Sequence, residues 1–274
     1  MSNEARASVD DEVRRALSRI PAAFSGYRPF PPLLNLYGNS SGIMDALTTF
    51  KLCGAAKNDL LYVVEVHHGF TPRGPLHFRP GLYLRNGTGT DAPILAAAGD
   101  EAREPLLIST FSVKSFIMLP PLDIEANPRD LITEIMYATK TSNGAVSFRF
   151  AIEVGPKMKC REQFEWKKVG TGNAHSGFIL VRLGPQSASP SPTPPSPTPS
   201  AQEESEILAE LLFGNVMSLN HLFSLELKGA GCSGEMGDRW TLMVVVTALR
   251  LYWLRVYGKT NKVVVGIGQK LRGR

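Results

Sequence analysis

The sequence predicts a mainly β protein whose sheet encloses a single hydrophobic helix near the C-terminus. Three observations carry this reading. Residues 240–257 leave almost no polar face, and a helix that is apolar all round is buried all round. Short β-rich runs separated by turn residues recur between 60 and 183, the pattern of a barrel or sandwich. A Ser/Pro/Thr-rich tract at 185–202 is followed by too little chain to wall in that helix. Strands from before the tract must therefore supply the walls.

In chain order, Ser8 precedes Val9, Val13, Ala16, Leu17 and Ile20 at helical spacing. This predicts a short amphipathic helix in an N-terminal arm, 1–49. The arm lacks the apolar core of a secretory signal, and Asp10, Asp11 and Glu12 are foreign to a mitochondrial presequence. Strands are expected at 60–66, 106–111, 115–119, 163–167 and 177–183 from their β-branched and aromatic content. Residues 147–154 alternate apolar and polar, as a half-buried strand does. Asn86-Gly87, Gly99-Asp100, Asn143-Gly144 and Gly155-Pro156 supply turns between them. Residues 131–140 are ambiguous and are taken as strand, and 206–214 stays open between strand and helix.

The tract at 185–202 cannot bury apolar surface and predicts a disordered loop inserted within one domain, 50–274. Its Ser-Pro and Thr-Pro steps are candidate phosphorylation sites. Its P-x-x-P spacing fits a polyproline ligand, but no basic residue flanks it, and a spacer is the plainer reading.

In the apolar segment, Trp240, Leu242, Met243, Val245, Val246 and Leu249 are the expected central-helix core. Val244 to Val246 would also suit a strand, yet the length without glycine or proline exceeds an ordinary strand. Burying roughly ten such side chains at about 1.5–3 kcal/mol each makes this the largest single contribution to the core. Arg250 and Arg255 interrupt it, so no transmembrane segment is expected. Asp238 is the expected N-cap.

Just before it, Gly229, Gly231 and Gly234 satisfy G-x-G-x-x-G, which imitates a dinucleotide-binding turn. That motif needs a helix starting against the pyrophosphate and an acid roughly 20 residues on. Here the helix start falls later and Asp238 is the last acid of the chain. No cofactor is therefore expected.

Residues 150–155, 164–166, 177–183 and 237–250 together resemble fungal members of the tubby C-terminal-like group, to which the LURP-one-related proteins also belong. The resemblance runs from about residue 50 to the end, and its 237–250 block is the most specific. It implies a closed antiparallel barrel of about twelve strands around one central hydrophobic helix. The group also includes tubby proteins, which bind phosphoinositides, and scramblases. The basic headgroup residues of tubby proteins do not align onto this chain, so that activity does not carry over.

Charge supplies the functional lead. Arg250, Arg255, Lys259, Lys262, Lys270, Arg272 and Arg274 are accompanied by no acid, and these seven exceed the whole chain's +5. All of the positive balance sits in the tail, 258–274 with the end of the helix. Lys259, Lys262, Lys270, Arg272 and Arg274 are the candidate contacts to an anionic phospholipid or an acidic protein partner. Nucleic acid ranks below these, because Trp253 and Tyr257, the available stacking rings, belong to the apolar helix. A solvated tail is the plainest reading of all.

Three widely spaced cysteines fit a reducing, intracellular setting, cytoplasmic or at a membrane surface. No Cys/His cluster has metal-ligand spacing. Glu65 and His67 share a strand face, and His68 follows them. They define the alternative, a β-barrel enzyme with its site at the barrel mouth. The leading expectation is a non-enzymatic binding or scaffold protein.

Overall fold

The computed structural model describes residues 26–39, 48–101, 113–122, 131–140, 145–155, 157–158, 160–170, 176–184, 206–214, 220–260 and 265. Among the described residues twelve strands precede the long helix. They are β1 (Leu33–Gly38), β2 (Thr49–Cys53), β3 (Leu60–His67), β4 (Gly81–Arg85), β5 (Ile94–Asp100) and β6 (Lys114–Leu119). The second half comprises β7 (Ile132–Lys140), β8 (Val146–Val154), β9 (Cys160–Val169), β10 (Gly177–Leu183), β11 (Ile207–Phe213) and β12 (Phe223–Leu227). Each strand pairs antiparallel with its sequence neighbours, and β1 pairs with both β2 and β12 to close the barrel. Closure leaves no sheet edge to protect.

The helix α1 (Asp238–Val256) runs through the lumen. All six core residues named from the sequence are buried, together with Val244, Thr247, Ala248, Leu251 and Leu254. Its neighbours lie all round the barrel. It packs on β4, β5, β6, β8, β11 and β12. Trp166 of β9 donates from Nε1 to Thr247 Oγ1 at 3.0 Å. Tyr252 sits against Phe50, Phe213 and Phe223, which reach it from β2, β11 and β12. Apolarity on every side of the helix is the sequence imprint of this enclosure.

The strands follow from alternation. In β8, Phe148, Phe150, Ile152 and Val154 face the helix, while Arg149 and Glu153 point outward. The outer face carries ion pairs such as Arg149–Glu165, Arg161–Glu134 and Arg182–Glu162. β4 and β5 break the alternation because the β3–β4 loop folds back over their outer side. There Leu76 joins Tyr83, Ala97 and Met118 in a second apolar cluster.

Several expectations need correction. The barrel includes β1, which the sequence reading left in the arm 1–49. The N-cap of α1 is Gly237, at φ 82°, and Asp238 makes no capping bond. The reason is steric, since a Cβ on Gly237 would lie 2.9 Å from the Gly155 carbonyl oxygen. The chain enters the barrel pressed against Gly155, whose N–H donates to the Met236 carbonyl. Gly231 is equally a packing glycine, because a Cβ there would meet Leu208 O and Trp240. Residues 131–140 and 206–214 both contain strands, β7 and β11. The expected helix after Ser8, the strand at 106–111 and the tract at 185–202 lie outside the described residues.

Candidate functional site

A groove opens on the outer face of β3 and β4. Strand alternation dictates its floor. Val64, Val66, Leu82 and Leu84 face the lumen, so Glu65, His67, Tyr83 and Arg85 face out. The β3–β4 loop forms the other wall through His68, Phe70, Thr71 and Arg73, and the enclosed volume is about 410 Å³.

The loop is tied down at two points. His67 donates from Nε2 to the His77 carbonyl at 2.5 Å, and Tyr83 donates from its hydroxyl to the Arg73 carbonyl at 2.5 Å. His77 holds a left-handed φ of 52°, a conformation uncommon outside glycine and sustained by surrounding contacts. Burial pushes the Tyr83 phenol up to about 12. Arg85 is fully engaged, donating from Nε to Glu65 Oε2 at 2.9 Å, from a second nitrogen to the same oxygen, and to the Ala92 carbonyl.

Glu65, His67 and His68 are thus brought together as the sequence reading anticipated, but not at a barrel mouth. They line the outside wall, because their strand turns its other face to α1. Their partners Tyr83, Arg85, Phe70 and Arg73 were not singled out from sequence. Only the β3–β4 register, which sets Glu65 opposite Tyr83, reveals them.

The C-terminal end of α1 forms a second surface at the open end of the barrel. Trp253 packs against Tyr257 with ring centroids 4.8 Å apart and planes tilted by 48°, and Val256 and Tyr257 are about half exposed. The Arg255 guanidinium lies 4.4 Å over the Phe213 ring. Of the five tail residues expected to touch an anionic partner, Lys259 is turned inward. Its Nζ donates to Asp100 Oδ2 at 2.8 Å, and burial outweighs that carboxylate to hold its pKa below the ordinary lysine value. Asp100 also pairs with Arg250, which is 1% exposed and donates from Nε to Ser115 Oγ at 2.9 Å. Lys259 is thus a core cation at the barrel end. Lys262, Lys270, Arg272 and Arg274 lie outside the described residues.

A further cluster on the outside of β1 and β12 imitates a hydrolase. Ser224 Oγ and His221 Nε2 are 3.1 Å apart, and both lie within 3.0 Å of Asn35 Oδ1. Asn35 Oδ1 accepts from both, so Nε2 carries a proton and is no base for the serine. This cluster braces the β1–β12 seam. Among the described residues no three His, Cys, Asp or Glu side chains are grouped to hold a metal ion, and no helix is long and apolar enough to cross a membrane.

No family model, curated protein or solved structure matches the chain.

Proposed function

We propose that this chain is a non-enzymatic intracellular binding or scaffold protein of tubby-like fold. It engages anionic lipid headgroups, or an acidic protein partner, through its basic C-terminal segment. The observation that carries this is the end of α1. The helix occupies the lumen, where a barrel enzyme keeps its cavity. It emerges with Val256 and Tyr257 exposed beside a half-buried Trp253, leading into a segment with four further bases and no acid. Amphipathic rings beside Lys and Arg suit a membrane surface, and each base near it contributes about 1 kcal/mol. The unpaired state of Cys53, Cys160 and Cys232 fits the reducing compartment this requires.

Flotation with neutral and with phosphatidylserine-containing vesicles, at low and high salt, tests the reading. Deleting 259–274 is the wrong variant, since Lys259, Thr260 and Val265 are built into the barrel end. Replacing Lys262, Lys270, Arg272 and Arg274 by Glu is expected to abolish salt-sensitive flotation while leaving the melting temperature in place. Equal flotation of variant and parent sinks the proposal.

The alternative, an enzyme using Glu65, His67 and His68, draws support from the groove alone. Two of its three groups are committed, Glu65 to Arg85 and His67 Nε2 to a carbonyl. The Arg85 pairing ties down Glu65 through Oε2, and a protonated Nε2 leaves only Nδ1 of His67 to act as a base.

A further inference from the structure

The groove between β3, β4 and their connecting loop has features that the proposed function does not use. Phe70 is 78% exposed, the most exposed large apolar side chain among the described residues. Its ring is stacked on that of His68, with centroids 5.9 Å apart and planes 19° from parallel. An exposed aromatic pair standing beside a cavity is a stacking platform without a ring on it.

The charge of the lining is equally specific. Glu65 is the only carboxylate that lines the groove, and Arg85 neutralises it with two bonds to Oε2. Arg73 then adds a cation that has no ion-pair partner among the described residues. Among the described residues the amides of Phe70 and Thr71 donate to no backbone carbonyl, so the loop wall also offers free N–H groups. Such a wall attracts an anion. On the floor, both Arg85 bonds fall on one oxygen of Glu65, which leaves Oε1 as an acceptor for a ligand N–H.

The groove is built before any ligand arrives. His67 and Tyr83 fix the loop by its His77 and Arg73 carbonyls, and Leu76 is sealed beneath it. A volume of about 410 Å³ falls in the range of small-molecule sites. Preorganisation lowers the cost of binding.

We infer that this groove is a binding site for a small aromatic anion of the nucleoside monophosphate class. The base stacks on the Phe70–His68 pair and turns an amino group toward Glu65 Oε1, and the phosphate meets Arg73 and the loop amides. The site is independent of the C-terminal segment and stands whether or not that segment binds lipid.

Calorimetric titration of the full chain with adenosine 5′-monophosphate, adenosine and ribose 5-phosphate tests the inference. The monophosphate is expected to bind saturably, about tenfold or more tighter than either fragment, because ring and phosphate each contribute. Phe70→Ala and Arg73→Ala each weaken it by about tenfold, within the range stacking and charge-assisted bonds span. Both residues are exposed, so thermal unfolding is expected to match the parent. Phe70→Leu keeps an apolar side chain without a ring and is expected to behave as Phe70→Ala. Absence of saturable binding, equal affinity for ribose 5-phosphate, or unchanged affinity in these variants each overturns the inference.

Discussion

Asp100 serves two cations at once. It pairs with Arg250 through Oδ1 and with Lys259 through Oδ2, and both cations are largely removed from water. Among the described residues Arg250 pairs with no other carboxylate, so Asp100 holds this cation at the barrel end electrostatically. Removing one partner of a buried pair costs more than the pair contributes, because the charge left behind is uncompensated. Asp100→Asn leaves the Arg250 charge buried without a carboxylate and takes one from Lys259, and is expected to lower unfolding free energy by about 3–5 kcal/mol. Arg250→Met leaves the Asp100–Lys259 pair intact and also removes an Nη1 that has no hydrogen-bond partner. It should cost less. Urea denaturation of the two variants decides, and a larger loss in Arg250→Met would refute the assignment. The sequence concealed this arrangement. Arg250 and Lys259 read as members of a basic tail, and only the fold brings Asp100 to them from β5.

Single elements were legible where local chemistry and environment agreed. α1 was, because enclosure needs apolar residues at every position and the sequence has them from Trp240 onward. So was β8, with one face on the helix and one toward solvent. β5 was not. Its Ile-Leu-Ala-Ala-Ala-Gly-Asp sequence lacks the aromatic residues and most of the β-branched ones that mark a strand. Small residues are needed there because both faces are covered. Ala96 and Ala98 lie against the helix side, Ala97 lies under Leu76, and a Cβ on Gly99 would come within 2.7 Å of Leu76. The covering element is the β3–β4 loop, and its attachment is open to titration. Tyr83 holds its phenol proton up to about 12, against 10 in the unfolded chain. A raised phenol contributes stability that is full below pH 10 and is lost as pH climbs from 10 to 12. That contribution is at most about 3 kcal/mol. Tyr83→Phe is expected to cost about 1 kcal/mol at neutral pH, from the lost bond to Arg73. It should also lose less stability than the parent between pH 10 and 12. Parallel urea midpoints for both proteins across that window would show that Tyr83 does not secure the loop.

At the scale of the molecule, function was less legible than fold because surface sites are assembled by register and not by sequence. The strand 60–67 announced Glu65 and His67, but the groove they line depends on β4 lying beside them and on a loop returning over both. Barrel closure is the same kind of fact. β1 was missed because Leu-Leu-Asn-Leu-Tyr-Gly is short and one of its two partners, β12, lies almost 190 residues along the chain. It sets Leu34 against Leu225 of β12 and Leu36 against Leu52 of β2. Without it, β2 and β12 each present an unpaired edge, and Leu34 and Leu36, both buried in the main core, no longer cover α1. Unpaired edges recruit other strands, and the lost burial alone is about 1.5–3 kcal/mol per leucine. A chain beginning at Asn39 is therefore expected to melt lower and to self-associate with concentration. One beginning at Gly26 retains β1, with Tyr27 still donating to the Asp238 carbonyl, and should self-associate no more than the full chain. Sedimentation and light scattering separate the two outcomes. A monomeric, equally stable chain from Asn39 would mean that the barrel does not depend on β1 for its closure.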